Sequence, residues 1–387
     1  MTFYSKNMQE KNSSTTKKNC RLFFTFSDSK NFSSFLIIIF AMAITDNFCG
    51  NIMTLFVATT IVVCVQSQPI TETPYNVVVS KDGTKNFNII GGAILAAPDH
   101  SVKPFIIKIK KGTYEEYIRV DKKKTNIFLI GEGMDTTIIT GNRSFVDSNK
   151  TYDTATVGVL GNGFAAQDLT FRNNAGAVKH QAVALRVEAD SVSFYRCRFD
   201  GYQDTLYVKE QRQFFRECEI YGTIDFICGG ATTLFQNCVI EARTPMARQY
   251  NTITAQKREF EHAASGIVLQ NCTIRATDDL EKLDNVTTYF GRPWGIFSRT
   301  VIMESYIGNL IDPKGWVEWI ESANKSVVRQ PYYLEYKNRG PGAVTKERVT
   351  WASVTTDPDI ASNFTVRQFI KGDQWIPANM PRYLDLS

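Results

Sequence analysis

The chain has 387 residues, 43% of them hydrophobic and 21% charged, with a formal charge of +5. This ordinary globular balance excludes a disordered tract, a collagen-like repeat and a polytopic membrane protein, and no Gly- or Pro-rich linker divides the chain. Six Lys/Arg and three acids in residues 1–67 leave only +2 on the remainder, so the concentrated basic stripe of a nucleic-acid binder is missing, although a polyanionic ligand is allowed.

Two apolar runs come first, Phe35–Ile44 and Leu55–Val65, with polar Thr45–Asn51 between them. Each is shorter than the roughly 20 residues needed to span a bilayer. The second ends Val65-Gln66-Ser67, small residues that a signal peptidase accepts. Residues 1–67 are therefore expected to be an N-terminal extension and signal peptide, and 68–387 a single domain beginning at Gln68. Met53 is an alternative start, and an anchor built from both runs is the competing reading. Beyond Gln68, N-x-[ST] triplets at Asn142, Asn149, Asn271, Asn285, Asn324 and Asn363 suit an exported glycoprotein. The same stretch holds five cysteines, Cys197, Cys218, Cys228, Cys238 and Cys272. The odd number leaves at least one unpaired, and the absence of C-x-x-C argues against zinc or thioredoxin-type chemistry.

A repeat occupies the middle of the chain. Ala166–Phe171, Tyr195–Phe199, Arg216–Ile220, Gln236–Ile240 and Gln270–Ile274 end on apolar residues separated by 28, 21, 20 and 34 positions, and Glu304–Ile307 comes 33 later. Each segment alternates apolar and polar residues, as a strand does. A unit of 20 or so residues is too short for a strand–helix–strand repeat, which needs about 30. It fits one coil of a parallel β-solenoid, with the longer intervals as loops thrown out from single coils. A sandwich of hairpins would show turn signals every 8–12 residues instead. Equivalent residues on neighbouring coils lie about 4.8 Å apart, inside the Cα window of about 4.4–6.8 Å for a disulfide. Cys197, Cys218 and Cys238 share one register, so the period permits 197–218 or 218–238, or simple stacking of thiols.

Two acids share that register as well. Asp204 lies five residues after Phe199, and Asp225 five after Ile220, which puts them side by side on adjacent coils in apolar surroundings. Two such carboxylates resist joint ionisation, leaving an acid beside a carboxylate nucleophile; loop caps pointing to solvent are the bland alternative. Gln181, 23 residues before Asp204, supplies an amide for an oxyanion. Arg292 is a cation suited to hold one aspartate ionised, and Trp294 a surface on which a sugar ring could stack. Other chemistries lack their motifs. There is no G-x-S-x-G elbow, H-E-x-x-H, Walker A loop or dinucleotide fingerprint, and His100, His180 and His262 are the sole histidines. Gly229-Gly230 reads as a strand-end turn.

The blocks Gly112-Thr-Tyr-Glu-Glu116, Gln181–Leu185, Gly201-Tyr-Gln-Asp-Thr-Leu206, Gly222-Thr-Ile-Asp-Phe-Ile227 and Gly291-Arg-Pro-Trp294, with Pro313–Trp316 and Trp375–Pro377 after them, stand in this order along the chain. In them the chain resembles the plant pectinesterases (pectin methylesterases) from about Tyr75 to Leu386. The resemblance implies an all-β fold, a right-handed single-stranded parallel β-helix of the pectin lyase-like type. It implies a secreted cell-wall hydrolase, monomeric and needing no metal or organic cofactor, that removes methyl esters from galacturonate in methyl-esterified homogalacturonan. A proteinaceous pectinesterase inhibitor is a candidate partner. Carried over by residue, it implies Asp225 as nucleophile, Asp204 as acid and then base, Gln181 and Gln203 as oxyanion donors and Arg292 as the partner of Asp225. Thr151, Gln181, Arg292 and Trp294 would bind substrate, and Cys218–Cys238 would be a disulfide.

The chain also departs from the pattern. Many plant members carry a helical, inhibitor-like pro-region; only the segment before Tyr75 stands in its place, so autoinhibition by that route is not expected. Where the family reads Phe-Ile-Phe-Gly-Asn-Ala, this chain has Phe226-Ile-Cys-Gly-Gly-Ala231, with Cys228 for an aromatic and Gly230 for an amide. Phe290 stands for Leu, and Gly295 stands where a basic residue is common. These changes bear on rate and subsite preference more than on reaction type. The sequon at Asn149 would set a glycan at the cleft rim near Thr151. A pectin-binding protein with a degraded site is the alternative of another class. A lyase or polygalacturonase is weaker, because their motifs are absent.

Overall fold

The computed structural model describes residues 74–147, 150–319 and 329–387. These fall in a unit running Ser67–Ser387. The expected signal segment and the sequons at Asn149 and Asn324 lie outside the described residues.

Strands of three to six residues, each apolar on one side, cannot bury that side alone; stacking equivalent strands does it. One coil consists of Leu185–Val187, Val192–Tyr195 and Arg198–Asp200, and the next of Leu206–Val208, Arg212–Arg216 and Glu219–Gly222. The third consists of Ile224–Gly229, Thr232–Gln236 and Val239–Ala242. Equivalent strands pair in parallel, giving sheets of 11, 7 and 8 strands that wind into a right-handed parallel β-helix. The repeat read from the sequence is the ladder itself: Phe171 faces Phe199, Phe199 faces Ile220, and Ile220, Ile240, Ile274 and Ile307 pair in turn. Inside, Phe194, Phe215 and Phe235 stack with centroids 4.8 and 4.4 Å apart. Each such contact contributes about 0.5–1.5 kcal/mol beyond the area it buries.

One corner of the coil has the same backbone on six successive coils. Asp168, Arg196, Glu217, Asn237, Asn271 and Glu304 all lie in the left-handed region, with φ of 55°, 47°, 51°, 55°, 51° and 57°. That conformation costs about 1–2 kcal/mol for most L-residues. Ladder bonds offset it, such as Arg196 N–H to Arg216 O at 3.0 Å and Glu217 N–H to Gln236 O at 3.1 Å.

The residue after each corner points inward, which stacks Cys197, Cys218, Cys238 and Cys272 on four successive coils, all buried. The Cys218–Cys238 bridge implied by the resemblance is not formed here: all five described cysteines are free thiols. The Cys218 thiol turns to Arg216 O at 3.3 Å and the Cys238 thiol to Phe215 O at 3.5 Å. In an in-register stack each inner sulfur has a neighbour on either side, and the backbone carbonyls offer each thiol an acceptor of its own.

The longer intervals are loops, as expected: 174–184 with a turn at Ala177–Lys179, 243–250, 257–265, and 277–287 with the helical turn Asp278–Glu281. A short helix, Ile90–Ala96, packs Ile90, Ala93 and Ile94 over the first coil. Its first two N–H groups donate to Glu116 at 2.9 Å each, which explains the last Glu of the Gly112–Glu116 block. At the other flank the C-terminal segment lays Phe364, Val366, Ile370 and Met380 on the outward face of the largest sheet, against Tyr195, Phe214, Leu234 and Val268. Gln236 and Gln270 pin it by donating to Tyr383 O at 3.0 Å and Asp385 O at 3.1 Å. Among the described sequons, Asn142, Asn285 and Asn363 are exposed, whereas the amide of Asn271 belongs to the ladder, donating to Asn237 Oδ1 at 3.0 Å. No helix among the described residues is long and apolar enough to cross a membrane.

Candidate active site

The two aspartates lie at the start of strands in the 7-stranded sheet, where Leu206 pairs with Ile227. Asp204 N–H donates to Ile224 O at 3.0 Å, so Asp204 and Asp225 stand on adjacent coils as the spacing predicts. Both have left-handed backbones, φ 59° and 51°. Between Ile224 and Ile227 the register with the next strand slips, a bulge that turns the Asp225 side chain out of the regular alternation.

The carboxyls then diverge. Asp225 is 5% exposed and fully partnered. Arg292 forks onto it, Nη2 to Oδ2 at 2.6 Å and Nε to Oδ1 at 2.9 Å, the geometry that selects an ionised carboxylate. Thr252 Oγ1 donates to Oδ1 at 2.6 Å and accepts from Asp225 N–H at 2.9 Å. Burial works against the Arg292 charge, but the attraction of Asp225 and its hydrogen bond outweigh it and raise the guanidinium pKa. Asp204 keeps a solvent-facing edge and has no such partner. Burial, then the neighbouring Asp225 charge, push its pKa well above the carboxylate range, against a smaller pull from Arg292. An acid whose protonated form is favoured thus sits beside an oriented carboxyl group.

Gln181 and Gln203 pair across adjacent coils as an isolated parallel bridge. Both are half-buried, and their side-chain amides have no partner among the described residues, which leaves two donors for a ligand oxygen. Thr151 opens the turn Thr151–Thr154 at the head of the strand Val157–Val159, one strand along from Leu185–Val187. Tyr152 anchors that turn, its hydroxyl donating to Glu188 Oε1 at 2.6 Å under the guanidinium of Arg186, 3.4 Å from the ring centroid. Trp294 is half-buried, 6.2 Å from Tyr207 and 6.2 Å from a near-parallel Trp319.

Sequence reasoning missed Thr252, Tyr207 and Trp319. Thr252 lies one coil beyond Asp225, and the 243–250 loop lengthens that coil, so coil counting fails there. Cys228, singled out as a departure, is 3% exposed; burial, then Asp204 and Asp225, raise its thiol pKa and keep it neutral. Gly230 and Gly295 are close approaches: a Cβ would meet Lys257 O at 2.9 Å and Arg258 O at 2.4 Å respectively. A cavity of ≈ 360 Å³ lies around the corner on the 8-stranded sheet, lined by Tyr202, Tyr221, Arg198 and Arg243 and by neither catalytic candidate. Among the described residues no group of three or more His, Cys, Asp or Glu is placed to hold a metal ion.

With this geometry in hand, comparison with known proteins is direct. The Pectinesterase family model matches residues 76–373. A pectinesterase/pectinesterase inhibitor of Prunus persica is 49% identical over 310 residues, 79% of this chain and 59% of that protein. Pectinesterase 2.1 of Solanum lycopersicum is 47% identical over 313 residues, covering 80% and 56%. The chain thus spans somewhat more than half the length of these relatives. Among solved structures, a pectin methylesterase from carrot superposes with a TM-score of 0.78 at 45% identity, over 81% of this chain and 98% of that one. A pectin methylesterase in complex with a hexasaccharide gives 0.67 at 29%, over 80% and 100%. On the family match and the shared β-helix, this chain belongs to the pectinesterase family.

Proposed function

We propose that this chain is an aspartyl esterase that removes methyl esters from galacturonate units of pectin and releases methanol. The observation that carries the reading is the pair itself: Asp225, held by the Arg292 fork and Thr252, beside Asp204, whose raised pKa keeps its proton. A free oxygen lone pair of Asp225 attacks the ester carbonyl, and the oxyanion that forms accepts hydrogen bonds from the Gln181 and Gln203 amides. As the tetrahedral adduct collapses, the carbonyl carbon–methoxyl bond breaks, Asp204 gives its proton to the methoxide oxygen, and methanol leaves. An anhydride joins Asp225 to the galacturonate. Water then attacks its galacturonate carbonyl while Asp204 accepts the water proton, and Asp225 is freed as carboxylate. No metal or organic cofactor enters these steps.

The Trp294–Trp319–Tyr207 cluster offers aromatic faces to the sugar rings, with Thr151 at the opposite rim. The reading includes export to the cell wall, supported by the signal-like segment ending at Ser67, and action as a monomer, with the open cleft as the surface a proteinaceous inhibitor would have to cover. The test is methanol release from highly methylated pectin by protein beginning at Gln68, with Asp225→Ala in parallel. Release by the wild type alone is expected. Undiminished release by the variant refutes the nucleophile, and pectin binding without release by the wild type turns the chain into a binding protein.

A further inference from the structure

Two departures from the family pattern, Gly230 and Gly295, touch one and the same segment. A side chain at Gly230 would meet the backbone oxygen of Lys257 at 2.9 Å, and one at Gly295 would meet Arg258 O, N and C at 2.4, 2.6 and 2.8 Å. The missing side chains let Lys257–Arg258 lie close against the coils on either side. Lys257 N–H donates to Gly229 O at 2.8 Å, Gly295 N–H to Gln256 O at 3.0 Å and Phe297 N–H to Arg258 O at 3.0 Å. Seated there, Lys257 carries its ammonium over the ring of Trp294, 4.5 Å from the centroid. The ammonium is weakly engaged otherwise: Glu259 Oε1 stands at 3.9 Å and the side chain is 40% exposed. Arg329 donates to Trp294 O at 2.5 Å on the same tryptophan, and the Arg292 guanidinium lies 4.5 Å from the Trp319 centroid. This end of the cleft is therefore aromatic and cationic together.

We propose that Lys257, held in place by the glycines at 230 and 295, is a specificity-determining residue that reads the charge state of the uronate beside Trp294, favouring a free carboxylate over its methyl ester. The proposal rests on the esterase reading only for its biological meaning, since it concerns binding of the acidic sugar itself. A methyl ester is neutral and gives the ammonium nothing to pair with. A carboxylate on a ring lying against Trp294 replaces the weak Glu259 contact with a direct ion pair.

Hexagalacturonate and its carboxyl-reduced, neutral counterpart test this without turnover, because neither carries an ester. Affinity is measured by tryptophan fluorescence for wild type, Lys257→Met and Lys257→Arg. A half-exposed ion pair of this kind contributes about a two- to five-fold change in affinity. Lys257→Met is expected to lose that factor for hexagalacturonate at roughly 20 mM salt, with no comparable loss for the neutral oligosaccharide, and Lys257→Arg to keep it. At roughly 300 mM salt the difference between wild type and Lys257→Met should largely vanish. Equal hexagalacturonate affinity in wild type and Lys257→Met at low salt overturns the proposal. So does a wild type that does not bind hexagalacturonate at all. Absence of methanol release with the charge-dependent binding intact sinks the esterase reading and leaves this one standing.

Discussion

Thr252→Val removes one oxygen and puts a methyl in its place, inside a β-branched side chain of the same shape that is fully buried. Two hydrogen bonds disappear. The donor to Asp225 Oδ1 at 2.6 Å is charge-assisted, and the acceptor of Asp225 N–H at 2.9 Å leaves that amide without a partner. A hydrogen bond to a charged group contributes about 1.5–3 kcal/mol, and an unsatisfied buried donor costs about 1–3 kcal/mol. The loss expected is therefore about 3–5 kcal/mol, which in a domain of this size lowers the thermal midpoint by roughly 4–8 °C. Catalysis should suffer differently. The carboxylate keeps the Arg292 fork but loses the contact that fixes its rotation about that fork, so kcat per folded molecule should fall about ten-fold, or ~1.4 kcal/mol. KM should stay within about two-fold, because Thr252 is sealed from the cleft and acts through Asp225. Thr252→Ser restores the hydroxyl and should recover most of kcat. The assay pairs steady-state methanol release at a temperature where all variants are folded with a thermal melt of each. A valine variant that melts earlier but turns over like the wild type would refute the positioning role, and one unchanged in both would refute the hydrogen-bond geometry.

The same site and the core beneath it support two more predictions. Asp204 has a raised pKa in the folded protein and an ordinary one of about 3.9 when unfolded. Below both values the proton is present in both states and nothing differs. Between them only the unfolded chain ionises, so wild-type stability falls as pH rises through that window. Asp204→Asn cannot titrate, so it should lose activity yet gain stability over the wild type progressively from about pH 4 upward; urea midpoints at several pH values should show the gap widening and then levelling off, and a constant gap would contradict it. The thiol stack is wholly buried, so a thiol reagent should find none of the five cysteines beyond Gln68 in the native protein and all five after unfolding; three after unfolding would show that a pair had closed.

How far the sequence reaches is set by what the solenoid repeats. Phe199, Ile220 and Ile240 could be aligned by counting because each buries its side chain on the coil before it, and any drift in spacing would expose one of them. The same counting located Asp204 and Asp225, since both hang from that register. Gln181 was within reach but not fixed: it pairs with Gln203, one position from where a strict count from Asp204 puts it, because the loop ahead of it carries no core residue to hold the phase. Thr252 and Lys257 lay beyond counting altogether. The C-terminal cover had no period to count, because Phe364, Val366 and Ile370 pack on the outside of the sheet, where neighbouring coils impose no repeat.

The asymmetry between the two acids was the least legible feature, and the fold shows why. A parallel solenoid offers equivalent positions identical backbone settings, and Asp204 and Asp225 do share a left-handed φ and a strand start. The period alone would make them twins. What separates them comes from coils on one side only. Asp225 borders the coil carrying Thr252, and the coil after that supplies Arg292 through the Gly291-Arg-Pro-Trp294 block, whose Arg292 N–H is tied to Thr254 O at 3.0 Å. Asp204 has Asp225 on that side, and on the other the coil of Gln181, an amide that brings no charge. The guanidinium therefore reaches the second acid and screens the first only weakly, and the bulge at Ile224–Ile227 turns the second acid toward it. Direction along the stack, rather than the identity of either aspartate, decides which one the guanidinium holds and so which one is proposed as the nucleophile. Arg292→Met should accordingly erase the distinction between the two carboxyls, not merely weaken one of them.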